Sequence, residues 1–123
     1  MGEKPNVVSD KSKAFSVRIV NMCSFLGKER NEYILSKQLL RSGTSVGANI
    51  SEAVYAQSKA DFIAKMHIAL KEINETGYWI ELLYKTNYLS DKEFQSILAD
   101  QQELIKLLTA ILKSAKEYII IHY

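Results

Sequence analysis

The stretch RSGTSVGANISEA, Arg41 to Ala53, decides the fold. It holds two glycines, four hydroxyl residues and one asparagine, which together suggest a loop. Yet Leu35, Leu39, Ser42, Val46, Ile50 and Ala53 keep a four-three alternation straight through it. That spacing belongs to one face of an α-helix. A phosphate-cradling loop needs G-x-x-x-x-G-K-[ST] after a strand. Here Gly43 and Gly47 stand four apart, no lysine follows Gly47 directly, and no strand pattern precedes. Residues four apart share a helix face. The two glycines therefore form a groove where another backbone can approach. Each costs about 1 kcal/mol of helix propensity relative to alanine, and tight packing is the natural offset.

Outward from this stretch the pattern stays helical. Ser9 and Asp10 are plausible caps for a first helix over about 9–27, preceded by a disordered start over 1–8 and stopped by Gly27. Phe15, Ile19, Met22 and Leu26 supply its apolar stripe. The polar run from Gly27 to Glu32 reads as a connection. The second helix is expected over about 34–57. Ser58, with Asp61 three residues on, opens a third over about 59–86, whose stripe runs Phe62, Met66, Ala69, Ile73, Gly77, Ile80, Tyr84. Ser90 and Glu93 form an S-x-x-E capping box for a fourth over about 91–120. Phe94, Ile97, Gln101, Leu104, Leu108, Ile111, Ala115 and Tyr118 line it, and Leu98, Ile105, Leu112 and Ile119 add a second stripe. Long helices with short connections pack as antiparallel neighbours, so the fold class is all-α, an antiparallel up-down four-helix bundle in a single domain.

Composition agrees. The chain has 123 residues, 47% hydrophobic and 24% charged, enough for one core and too few for two domains. A single proline, Pro5, and five glycines suit long helices. The net charge of +2 is unevenly spread. Residues 1–58 hold eight Lys/Arg against five Asp/Glu, and residues 59–123 hold eight against nine. Cys23 stands alone, which excludes a disulfide framework and a thiolate metal cluster. No apolar run is long enough to cross a membrane, and the apolar tail from Tyr118 to Tyr123 is short. The expectation is a soluble, cytoplasmic protein.

Di-iron bundles use E-x-x-H pairs, but Ala64 and Ile119 precede His67 and His122 by three, so no metal or other cofactor is expected. No Ser/His/Asp spacing suggests a triad. Cys23 falls on the apolar side of its helix, His67 reads as a partly exposed structural residue, and Tyr78 and Trp79 read as core or interface rather than base-stacking groups. A polar stripe flanks the glycine groove: Arg41, Ser45, Asn49 and Glu52. It is a solvated face, a hydrogen-bonded network at a helix or subunit contact, or a ligand or nucleic-acid site. Glu72, Asn74 and Glu75 on the third helix either stay solvated or pair with Arg41 or Asn49 across the second and third helices.

Two blocks carry a resemblance. Gln38-Leu-Leu-Arg41 with Thr44-Ser-Val-Gly-Ala-Asn-Ile-Ser-Glu52 resembles the pattern Q-L-x-R-A-x-x-S-V-x-x-N-I-A-E-G of the "four helix bundle" family, whose founding members are encoded in intervening sequences of bacterial large-subunit ribosomal RNA genes. Ala69-Leu-Lys-Glu-Ile-Asn-Glu-Thr-Gly-Tyr-Trp79 is similar to a family branch reading A-L-K-E-A-N-E-T-x-Y-W. Ser42, Ala53 and Ile73 depart from the usual Ala, Gly and Ala. The resemblance implies a left-handed bundle and a homopentameric ring, and it implies little about activity. A related accessory protein of diversity-generating retroelements is a basic pentameric bundle thought to bind nucleic acid. Two functions follow as expectations, with a small metal-dependent enzyme as the least supported alternative. One is a non-catalytic homo-oligomeric assembly module, supported by apolar stripes on the third and fourth helices in excess of one core's need. The other is an RNA-binding oligomer with a basic rim drawn from Lys11, Lys13, Arg18, Lys28, Arg30, Lys37 and Arg41.

Overall fold

The computed structural model describes the backbone of residues 4–121 and the side chains of residues 7–116. Four helices follow in order: α1 Lys4–Arg30, α2 Leu35–Val54, α3 Lys59–Lys85 and α4 Asp91–Ile121. Each packs on the next, and α4 closes back on α1, giving an all-α four-helix bundle. The core takes Phe15, Ile19 and Leu26 from α1, Leu39 and Ile50 from α2, Met66, Ile73, Ile80 and Leu83 from α3, and Ile97, Leu104 and Leu108 from α4. These are the stripes that the helical spacing marks. The apolar tail from Tyr118 lies outside the described side chains.

The ends of α2, α3 and α4 are set by local chemistry. Ser58 has an extended backbone, and its Oγ accepts from the Asp61 N–H at 3.0 Å. At α4 the capping box closes both ways: Ser90 N–H donates to Glu93 Oε1 at 2.8 Å, and Glu93 N–H donates to Ser90 Oγ at 3.2 Å. α3 ends in a Schellman turn. Asn87 sits at φ 69, Tyr88 N–H reaches the Leu83 carbonyl at 2.9 Å, and Asn87 N–H reaches that of Tyr84 at 3.0 Å. α2 stops at Val54, short of the expected 57, because the chain must turn before the extended Ser58.

α1 departs from expectation at both ends. It already runs from Lys4, so residues 4–8 are helical rather than disordered, while residues 1–3 lie outside the described part. Pro5 falls in its first turn, where no intrahelical N–H is missed. Ser9 and Asp10 therefore do not cap it; the Ser9 carbonyl instead accepts from Ser12 Oγ at 2.9 Å. Gly27 does not stop it. An added Cβ there would lie 2.8 Å from Tyr33 Cε1, so this glycine admits the Tyr33 ring. The stop is Asn31, in the left-handed region at φ 54, with Glu32 N–H bonded back to the Leu26 carbonyl at 3.0 Å. The buried Glu32 then caps α2 with its carboxylate, accepting from the backbone N–H groups of Ile34, Leu35 and Ser36. A carboxylate is favourable at a helix N-terminus.

Candidate functional site

The residues of Arg41–Ala53 are helical throughout and sort onto three sides of α2. Leu39, Ser42, Val46, Ile50 and Ala53 face the core. Gly43 and Gly47 face α1 within the same chain. A Cβ on Gly43 would lie 2.9 Å from both Cγ1 and Cγ2 of the fully buried Ile19. A Cβ on Gly47 would lie 3.0 Å from Ser16 Oγ and 3.4 Å from the Ser12 carbonyl oxygen. The groove expected from the glycines is thus filled by α1. A third close approach joins α3 and α4: Gly77 leaves room for the buried Gln101 amide, whose Nε2 donates to the Ile73 carbonyl at 3.0 Å.

Outside the α1–α2 crossing lies a furrow of about 300 Å³ lined by Ser9, Lys13, Ser16, Thr44, Gly47 and Ala48 among others. Val20 and Leu40 lie further along the same pair of helices, and Val17 stands beside them; all three are exposed.

The third side of α2 meets α3. Arg41 bridges two carboxylates, with Nη1 donating to Glu72 Oε2 at 3.2 Å and Nη2 to Glu75. Trp79 Nε1 donates to the same Glu75 oxygen at 3.0 Å. Beneath this cluster the buried hydroxyls of Ser42 and Thr76 lie 3.1 Å apart. The structure does not bring the whole polar stripe into one network. Asn49 Nδ2 bonds within α2, to the Ser45 carbonyl at 2.9 Å and Ser45 Oγ at 3.1 Å. Glu52 pairs with Lys65 at 3.1 Å. Asn74 likewise bonds within its own helix, to the Leu70 carbonyl at 3.0 Å.

The basic residues of the first half are mostly committed. Lys11 pairs with Glu103 at 3.2 Å, and Arg18 with Asp100 at 2.6 Å and Ser96 Oγ at 2.9 Å. Arg30 grips Glu93 with both terminal nitrogens, at 2.6 and 3.0 Å, and donates to the Tyr88 carbonyl at 2.6 Å. Its guanidinium also lies 4.6 Å from the Phe25 ring centre. Foremost through the Arg30 bond, and next through the Ser90 N–H, the Glu93 carboxyl is held down to about 2. Of the candidate rim, Lys13, Lys28 and Lys37 are exposed and in no ion pair among the described residues.

Reactive groups are quiet. The Cys23 thiol is pushed up to about 11, first by burial and then by the Glu32 carboxylate, and it donates to the Ser36 carbonyl at 3.3 Å. A thiol held protonated is a poor nucleophile. Among the described residues no group of three His, Cys, Asp or Glu is placed to hold a metal ion, and no helix is long and apolar enough to cross a membrane. Sequence reasoning missed the Glu32 cap and the Arg30–Glu93 clamp. An acidic residue just before a helix was a signal for the first; nothing local signalled the second.

The family model described as 23S rRNA-intervening sequence protein matches residues 4–110. A crystal structure of a protein with unknown function from the S23 ribosomal protein family, from Bacteroides thetaiotaomicron VPI-5482, is 58% identical with a TM-score of 0.88. The match covers 89% of this chain and 98% of that one. No curated protein matches. A family model spanning nearly all of α1 to α4, and a close structural likeness at that identity, make this chain a member of the 23S rRNA-intervening sequence protein family.

Proposed function

We propose that this protein is a non-catalytic assembly module that works as a homo-oligomer, with a pentamer implied by the family resemblance. The observation that carries the reading is the apolar surface left over once the core is filled. Val17, Val20 and Leu40 are 55%, 48% and 39% exposed along one side of the bundle, and Ile68 and Tyr78 are 41% and 60% exposed on α3. Single exposed apolar residues are ordinary, but contiguous ones on bundle sides mark contact surfaces. The surplus sits on α1, α2 and α3. On α4, among the described residues, Leu98 and Ile105 are half-buried and Leu112 is buried, so this part of the second stripe is largely used within the chain. Light scattering on the purified protein tests the reading. A mass several times 14.0 kDa is expected, and a stable 14.0 kDa species at micromolar concentration overturns it.

The nucleic-acid reading is left with a smaller rim. Lys11, Arg18, Arg30 and Arg41 are engaged by carboxylates of the same chain, which leaves Lys13, Lys28 and Lys37 to face phosphates. Replacing Lys11 or Arg18 with Glu would set like charges against Glu103 and Asp100 and mix a change in stability with a change in binding. The cleaner test is salt-dependent binding of ribosomal RNA fragments by the parent and by a Lys28→Glu, Lys37→Glu variant. Binding that the variant loses supports an RNA-facing rim, and a parent that stays unbound at low salt removes it.

A further inference from the structure

Two neighbouring sides of the bundle share α2 and differ in character. The α1–α2 side is a shallow furrow. Apart from Lys13 its lining is short and uncharged: Ser9, Ser16, Thr44, Gly47 and Ala48 are typical. The α2–α3 side carries the exposed Ile68 and the half-buried Trp79, which flank the Arg41–Glu72–Glu75 cluster. From this pairing we propose a head-to-tail contact between copies, in which the furrow of one copy receives the α2–α3 side of the next. The contact rests on the homo-oligomer reading above and specifies which surfaces meet.

Charge favours it. Lys13 is the one charged residue lining the furrow, and it is in no ion pair among the described residues. Across the contact, Glu72 and Glu75 share the single cation Arg41, which leaves one negative charge over. An unpaired ammonium and an under-neutralised carboxylate pair are complementary, and such complementarity fixes register between partners.

Height along the bundle agrees. A closed ring permits no shift along its axis from copy to copy, so contacting groups must lie at matching levels. Gly47 lies beside Ser12 and Ser16, which sets Lys13 near the level of Ala48. Thr76 lies beside Ser42, which sets Glu72 near the level of Val46. The two charges are thus within about 3 Å in height, at 1.5 Å per residue. Seven residues further along the parallel helices α1 and α3, Val20 and Trp79 keep the same offset, about 3 Å in height. Val20 with Leu40 supplies an apolar floor for the Trp79 edge, and aromatic anchors of this kind dominate contact energies. Adjacent sides of a four-helix bundle meet at roughly a right angle. Repeating such a contact between unlike surfaces closes a small ring with α2 nearest its axis.

The experiment uses two variants that each spoil one surface. Ala48→Trp fills the furrow, and Ile68→Arg places a cation on the opposing side; both positions are exposed. Circular dichroism checks that each folds, with Lys13→Glu in reserve for Ala48→Trp. Each variant alone is expected to be monomeric by light scattering. An equal mixture is expected to form a one-to-one dimer and nothing larger, because it retains one intact furrow and one intact partner surface. If the parent is an oligomer and either folded variant keeps its mass, the proposed contact is wrong. If both variants are monomeric and the mixture stays monomeric, the contact is not head-to-tail. A monomeric parent instead removes the oligomer reading itself.

Discussion

α1 is held on its two sides by different physics. Against α2 it is held by shape. Gly43 and Gly47 remove side chains so that Ile19, Ser16 and the Ser12 carbonyl can come close. Against α4, beside the buried Phe15 and Leu104, it adds a row of ion pairs: Lys11–Glu103, Arg18–Asp100 and Arg30–Glu93. A shape-held seam has no room for added volume and little dependence on salt or pH. A charge-held seam tolerates truncation, titrates with its carboxylates and is screened by salt. The contrast teaches where this chain can change without losing its fold.

The largest effect should come from filling the shape-held seam. Gly43→Leu forces a side chain into Ile19, which is fully buried and β-branched and cannot swing aside. A loss of about 3 kcal/mol or more is expected in urea denaturation. A parent-like midpoint would show that α1 and α2 can slide apart.

A smaller effect belongs to the strongest link of the charged seam. Arg30→Ala should cost about 1–2 kcal/mol, since it removes a two-pronged ion pair to a carboxylate that also caps α4. The pH dependence has a definite sign. Glu93 ordinarily titrates near 4.5 and here near 2, so its contribution is full above about 4.5 and is lost as pH falls toward about 2. Denaturation midpoints measured across that window should fall more steeply for the parent than for Arg30→Ala. Equal slopes would mean that the pair does not govern acid stability.

The smallest effect is at the exposed end of the same seam. Lys11→Ala should change stability by about 0.5 kcal/mol or less, and the difference should shrink when salt is raised. A salt-independent loss above about 1 kcal/mol would mean that packing, rather than charge, holds this end.

How much of this was legible follows the range of each interaction. The core stripes, the Ser58 cap and the Ser90–Glu93 box are local, and a sequence displays them within a few residues. The start of α1 misled because Ser9 and Asp10 look like caps, although Lys4 and Pro5 already stand in a helix. Its end misled because Gly27 looks like a stop, whereas its missing side chain serves the Tyr33 ring and Asn31 makes the turn. The glycine groove was legible, but its occupant was not. Ile19 lies 24 residues away, and no spacing rule links it to Gly43. The partners of the basic residues were hidden for the same reason: Lys11, Arg18 and Arg30 pair with carboxylates on α4, far along the chain. Arg41 did meet Glu75, yet Asn49 and Glu52 found separate partners.

α2 is thin because α1 occupies the space its missing side chains leave. The most direct measurement is a pair of alanine substitutions, Gly43→Ala and Gly47→Ala, compared by urea denaturation at one protein concentration. On an open helix face each would stabilise by about 1 kcal/mol through helix propensity. Here Gly43→Ala meets the immobile Ile19 and should destabilise. Gly47→Ala meets the Ser16 hydroxyl, which can rotate away only by giving up its 3.0 Å bond to the Ser12 carbonyl, and should stay within about 0.5 kcal/mol of the parent. That split is the expected result, and stabilisation by both substitutions would show that α1 does not fill the space beside the glycines.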